Sequence, residues 1–131
     1  MFLSSLSYTQ RKVFLGLAKE ILTVDDGVID KYEENYLRGL CAEMSLSFND
    51  EIIIEKLEIK SHFEEISAKR ILLLELVALG HSNKEYDDMQ DKYTDEICNL
   101  IEISINELRD IESLLKQYHE IQNQFIQFIE N

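Results

Sequence analysis

Residues 30–50 read DKYEENYLRGLCAEMSLSFND, and residues 87–107 read DDMQDKYTDEICNLIEISINE. Set one above the other without a gap, at an offset of 57, Asp30 falls on Asp87, Glu34 on Asp91 and Tyr36 on Tyr93. Leu40 falls on Ile97, Cys41 on Cys98, Met44 on Ile101, Leu46 on Ile103, Ser47 on Ser104 and Asp50 on Glu107. The same register carries Leu15 onto Leu72 and Leu17 onto Leu74. In both segments apolar residues recur at three- and four-residue steps, the period of a helix with one buried face. Any two amphipathic helices match somewhere. A register that aligns caps, core positions, a tyrosine and a cysteine together points to a duplicated unit. Each unit is helix, acidic loop, helix and the start of a third helix, with halves over about 8–57 and 65–114.

The helical period extends outward over almost the whole chain, which has no proline and four glycines. The reading is all-α, a compact helical bundle in one domain, 1–131. Capping signals place the helix starts. Ser7 with Gln10 opens 8–23, and Asp30 with Glu33 opens 30–44. Ser47 with Asp50 opens a short helix over 48–57, and a turn or short helix comes next over 61–66. Ser67 caps 67–80, Asp87 opens 87–102, and Ser104 with Glu107 opens a long last helix over 104–125, with helical spacing that continues to 130. Its apolar residues are Ile105, Leu108, Ile111, Leu115, Tyr118, Ile121 and Phe125. The β-branched run Ile52-Ile53-Ile54 is too short and isolated for a sheet.

Composition narrows the partners. With 26 acidic against 13 basic side chains the net charge is −13, so phosphate backbones and anionic membranes repel the chain. Hydrophobic residues make up 45%, enough for a core that buries about two-thirds of the unfolded surface. The longest apolar runs, 71–74 and 76–79, fall far short of the roughly 20 residues of a membrane span. The first residues carry no positive charge ahead of their apolar side chains, unlike a signal peptide. Cys41 and Cys98 do not make a disulfide framework and read as core thiols. The expected location is the cytoplasm.

The loop ahead of the second helix reads Asp25-Asp26-Gly27-Val28-Ile29-Asp30-Lys31-Tyr32-Glu33-Glu34. Gly27 supplies a turn, Ile29 an anchor, and carboxylates recur around them. The pattern matches the back half of a Ca²⁺ loop, but Leu22 and Val24 occupy positions that should carry oxygen ligands. Three roles compete for this loop: helix capping by Asp30 and Glu33, a partial site for a hard divalent cation, and a docking surface. The second loop keeps Asp87, but Lys84 replaces the glycine and Gln90 replaces Glu33.

Taken together, these features resemble the TerB-like family, known from tellurite-resistance operons and from domains fused to co-chaperones. Its hallmark is a twice-repeated A-D-G-x-I-D-x-x-E segment between helices. Here Val24 to Glu33 carries the segment with Asp25 inserted, and Gly80 to Gln90 carries it in degraded form, within a resemblance that covers Ser7 to Leu115. The resemblance implies an all-helical bundle of about seven helices with pseudo-twofold symmetry, an association with metal or oxyanion stress, and no established enzymatic activity. Carried over, its proposed metal-binding positions are Asp26, Asp30, Glu33 and Asp87.

Catalytic patterns are missing. His62, His81 and His119 have no Glu three residues ahead, so there is no E-x-x-H repeat, and there is no H-E-x-x-H. Gly16, Gly27, Gly39 and Gly80 are too scattered for a phosphate loop. Two apolar ends, Met1-Phe2-Leu3 and Phe125-Ile126-Gln127-Phe128-Ile129, either pack on the bundle or form a patch for a protein partner or homodimer. Gln117, Gln122, Asn123, Gln124 and Gln127 give the last helix an uncharged polar face suited to a helix–helix interface. The leading expectation is a non-enzymatic stress or defence module acting through protein interaction, with a cation in the acidic loop as an added element. The alternatives are a dedicated divalent-cation sensor, and an enzyme whose site forms only in three dimensions.

Overall fold

A computed structural model describes residues 1–24, 26–53, 55–81 and 88–131. The described residues are mostly helical and contain no strand. Among the described residues six α-helices come after a 3-10 turn at Leu3–Ser5: α1 Tyr8–Thr23, α2 Lys31–Met44, α3 Lys56–His62, α4 Ile66–Gly80, α5 Asp88–Leu100 and α6 Ile105–Glu130.

Helix α4 is the centre. It packs against α1, α5, α6 and the 3-10 turn, and Leu72, Leu73, Leu76, Val77 and Leu79 are buried along it. A helix covered on several sides must be apolar on several sides, which explains the run from Ile71 to Leu79. Helix α1 adds Val13, Phe14, Leu15, Leu17 and Ile21 to the same core.

Two caps form as the sequence predicts. Ser7 Oγ accepts the Gln10 N–H while Gln10 Oε1 accepts the Ser7 N–H. Asp30 and Glu33 do the same at the start of α2. Backbone features also recur 57 residues apart. Leu46 N–H donates to the Cys41 carbonyl at 2.9 Å, and Ile103 N–H donates to the Cys98 carbonyl at 3.1 Å. Ser45 N–H donates to Ala42, and Glu102 N–H to Asn99. Each set satisfies the last carbonyls of a helix in a Schellman motif. Both cysteines lie buried beneath these ends.

Several boundaries differ from those the sequence predicts. The helix expected over 48–57 does not form among its described residues. Asp50 Oδ2 accepts the Ser47 N–H at 2.6 Å and closes a turn, and the β-branched Ile52 and Ile53 disfavour helix. Ile53 N–H instead reaches the Lys12 carbonyl on α1, and the helix begins at Lys56. Ser67 does not cap α4, whose N-cap is Glu65 without a side-chain bond. Ser104 Oγ caps α6, but Glu107 does not return the bond, because Arg70 on α4 takes its carboxylate at 2.6 Å. A charge-assisted bond between helices is stronger than a neutral cap contact. Ile105, the first of the apolar residues named for the last helix, is exposed, and so is Met89 near the start of α5. Helix α5 ends at Leu100, two residues before the expected 102, whereas α6 reaches Glu130, where the helical spacing is expected to end.

Candidate functional site

The acidic loop between α1 and α2 turns on Gly27, whose φ of +75° is the left-handed conformation that favours glycine. Asp26 Oδ1 accepts the Val28 N–H at 2.9 Å and tightens the same turn. Asp30 Oδ1 accepts the Glu33 N–H at 2.7 Å, and Glu33 Oε1 accepts the Asp30 N–H at 3.0 Å. Glu33 is buried and Asp30 exposed. These carboxylates therefore organise the loop backbone, and those at the start of α2 complement its dipole. Among the described residues no three groups of metal-ligating type come together. Asp25 and Asp87 lie outside the described residues.

A second feature is a carboxylate that no motif marks. Glu75 sits in the middle of α4 and is buried. Its Oε1 accepts from the Phe2 N–H at 2.8 Å and the Met1 ammonium at 2.9 Å, while Glu43 approaches the same ammonium at 3.1 Å. A buried carboxylate needs such partners, since an unpaired one costs several kcal/mol on the order of a full ion desolvation. Burial opposes the charge on the Met1 ammonium, but hydrogen bonds to Glu75 and Glu43 outweigh it and push its pKa up. The contact seats Leu3 in the core and sets Phe2 on the rim of a groove. The signal in sequence is a single Glu inside an otherwise apolar run.

That groove lies between α4 and α6. It measures about 560 Å³ and is lined by Phe2, Ile71, Leu74, Ile111 and Leu114, with the Arg70–Glu107 pair at one edge. On the other flank of α6 a second hollow of about 500 Å³ brings Tyr32 and Tyr36 together with Tyr118, His81 and His119. Burial raises the Tyr36 pKa, with Glu75 adding to it. Loss of water lowers that of His81, with His119 adding to it and Glu112 and Asp91 opposing. At neutral pH this hollow presents an uncharged phenol and an uncharged imidazole.

Helix α6 joins the two. Its last buried residue is Leu115, and every side chain from Lys116 onward is exposed. One side of the helix still borders the second hollow as far as Asn123, and beyond it, at 1.5 Å per residue, roughly 10 Å of helix leaves the cover of the bundle. Its apolar side does not end with that cover. Leu114, Ile121 and Ile126 remain half exposed or more, Tyr118 is 43% exposed, Phe125 62%, Ile129 78% and Phe128 82%. Ile111, Leu114, Tyr118, Ile121, Phe125 and Phe128 succeed one another at steps of three, four, three, four and three. That is the a/d seam of a coiled coil. The apolar side expected from sequence holds Ile111, Tyr118, Ile121 and Phe125 but not Leu114. The alternating step is the signal that identifies Leu114 and Phe128 as parts of one stripe.

No protein-family model, no curated protein and no solved structure matches this chain.

Proposed function

We propose that this chain is a non-enzymatic TerB-like module of a stress or defence system, working in the cytoplasm by docking a protein on α6. The observation that carries the reading is the apolar stripe from Leu114 to Ile129 on a helix that has left the bundle. Apolar area of this kind is costly to leave in water and marks interaction surfaces. The groove beside Leu114 extends the stripe onto α4 and gives a partner a concave anchor. The D-G-x-I-D-x-x-E segment between α1 and α2 supports the TerB-like part of the reading. So do the helix ends and buried cysteines that recur 57 residues apart, which also support an internally duplicated chain.

The test is a photoreactive side chain placed at Ile121 in the native cell. Cross-linked protein adducts that disappear when Phe125→Glu is added support docking on the stripe. A control at the exposed Glu51, in the turn ahead of α3, should give none. If Ile121 yields no adduct, or the same adducts as Glu51, the reading fails.

A further inference from the structure

We propose that the α6 stripe pairs antiparallel with the same stripe of a second copy of this chain, an assignment that rests on the docking reading of α6 and names its occupant. The register of the stripe favours such a pair. The six seam residues are symmetric about the midpoint between positions 119 and 120, so the reversed helix presents the same alternating steps. Antiparallel pairing then forms three kinds of layer, each made twice: Ile111, buried in its own bundle but opening on the α4–α6 groove, with Phe128 of the second copy, Leu114 with Phe125, and Tyr118 with Ile121. Every layer sets one aromatic ring against one aliphatic side chain, the large-against-small alternation that fills a helix interface evenly. Parallel pairing would set Phe125 on Phe125 and Phe128 on Phe128, and leave Ile111 against Ile111.

Charge favours the same occupant. Residues 113–129 contain one Lys and one Glu, in a chain whose net charge is −13. The positions flanking the seam there are Gln117 and Gln124 on one side and Leu115, Gln122 and Ile129 on the other. In an antiparallel self-pair each flank meets the same flank of the copy, so a charge there would face its like. Flanking charges ordinarily set partner choice in coiled coils; within 113–129 they are absent, where two acidic chains would otherwise repel, and Asp110 at the groove is the one acidic flanking residue at the Ile111 end. A basic partner would be drawn to the acidic remainder of the surface instead.

The area is also of the right size. The six exposed apolar side chains on the seam and its flank, Leu114, Tyr118, Ile121, Phe125, Phe128 and Ile129, present on the order of 700 Å², above the largest patch of most monomers and close to the share each partner gives a standard interface. The α4–α6 groove lies at the Ile111–Leu114 end of the stripe, which is where Phe125 and Phe128 of the copy arrive. The pair is isologous: each tip fills the other's groove, and the assembly closes at two.

Sedimentation equilibrium of the purified chain tests this between about 1 and about 100 μM, the weak end of what an interface of this size gives. The expected result is twice the mass of the chain, reverting to the single mass in Phe125→Glu with Phe128→Glu. Circular dichroism should show that this variant keeps its helix content. Orientation is read by oxidation. The double variant Leu114→Cys with Phe125→Cys should lock into a covalent dimer, while Leu114→Cys alone should not. Eleven residues of helix separate 114 from 125, about 16 Å, so the bond cannot close within one chain. A single mass at every concentration overturns the second copy as occupant, and so does a dimer indifferent to the Phe125 and Phe128 substitutions. Self-cross-linking of Leu114→Cys overturns the antiparallel arrangement. In each case the docking reading stands or falls separately, on the Ile121 cross-link.

Discussion

Ser45 and Glu102, 57 residues apart, adopt the same left-handed backbone, with φ of 58° and 60°, and no other non-glycine residue among those described has a positive φ. Each comes just after a helix and turns the chain so that the next residue, Leu46 or Ile103, drops back into the core. A side chain in this conformation costs roughly 1–2 kcal/mol. The chain bears that strain twice at matched positions because the buried Leu46 and Ile103 require the turn.

Glycine at position 45 should therefore stabilise the protein. Relief of the left-handed strain exceeds the extra freedom glycine gives the unfolded chain, for a net gain of about 0.5 kcal/mol. We expect Ser45→Gly to raise the melting temperature by a few degrees. Glu102→Gly should gain less, because it also removes the exposed Lys60–Glu102 ion pair at 2.6 Å. A lower melting temperature for Ser45→Gly would show that the turn is not strained.

The Asp30 cap gives a second expectation. Asp30→Ala removes the acceptor for the Glu33 N–H and should cost about 1 kcal/mol in urea unfolding, with Asp30→Asn within a few tenths. Glu33→Gln keeps an oxygen for the Asp30 N–H. It copies the buried Gln90 that stands 57 residues on, and should be milder than Asp30→Ala.

A cation held by Asp26, Asp30, Glu33 and Asp87 makes a different demand. An ion at 100 times its Kd adds about 2.7 kcal/mol to folding. The loop carboxylates already serve their own backbone, so we expect melting curves that do not move with millimolar Ca²⁺, Mg²⁺, Mn²⁺ or Zn²⁺. A saturable rise with one ion, lost in Asp26→Asn, would establish the cation site.

The cysteines should be inert. Burial pushes both thiols up, with Lys19 and Arg38 opposing at Cys41 and Arg109 opposing at Cys98. Less thiolate and less access both slow attack. Neither should react with a thiol reagent in the native protein, and both should react in urea. Rapid labelling of one alone would separate the two matched positions.

Alkaline pH should unfold the protein through Tyr93. Burial, with Glu20 and Glu96 adding to it, pushes its phenol far above 10, and its hydroxyl donates to the Leu17 carbonyl at 3.4 Å. A group whose pKa is raised on folding contributes fully below its unfolded value and loses that contribution as pH rises toward the folded one. The Tyr93 share should hold up to about pH 10 and then be lost, after an earlier and separate decline that begins at about pH 8 as the raised Met1 ammonium and then the two buried thiols titrate. Tyr93→Phe should flatten the fall but leave part of it, since hydrogen bonds to Glu20 and Glu96 raise Lys56 in the same window. Melting curves between pH 8 and 11 check both statements; an unchanged slope in Tyr93→Phe would refute the first.

What the sequence determined by itself is the helical class, the two reciprocal caps and the recurrence at 57. The caps act within three residues, and the helical period repeats along each segment, so both are local physics that no distant contact needs to complete. Tertiary structure decided the rest. It moved the short helix from 48–57 to Lys56–His62, drew Glu107 from its cap to Arg70, and gave Glu75 the Phe2 amide. Each outcome depends on a partner 37 or more residues away in the chain or on the wall of α1. The stripe on α6 shows the division most clearly. Periodicity tells which side of a helix is apolar, but not how far the neighbouring helices reach to cover it. Those neighbours bury nothing on α6 after Leu115 and border it no further than Asn123, and the rings of Phe125 and Phe128 are left in water.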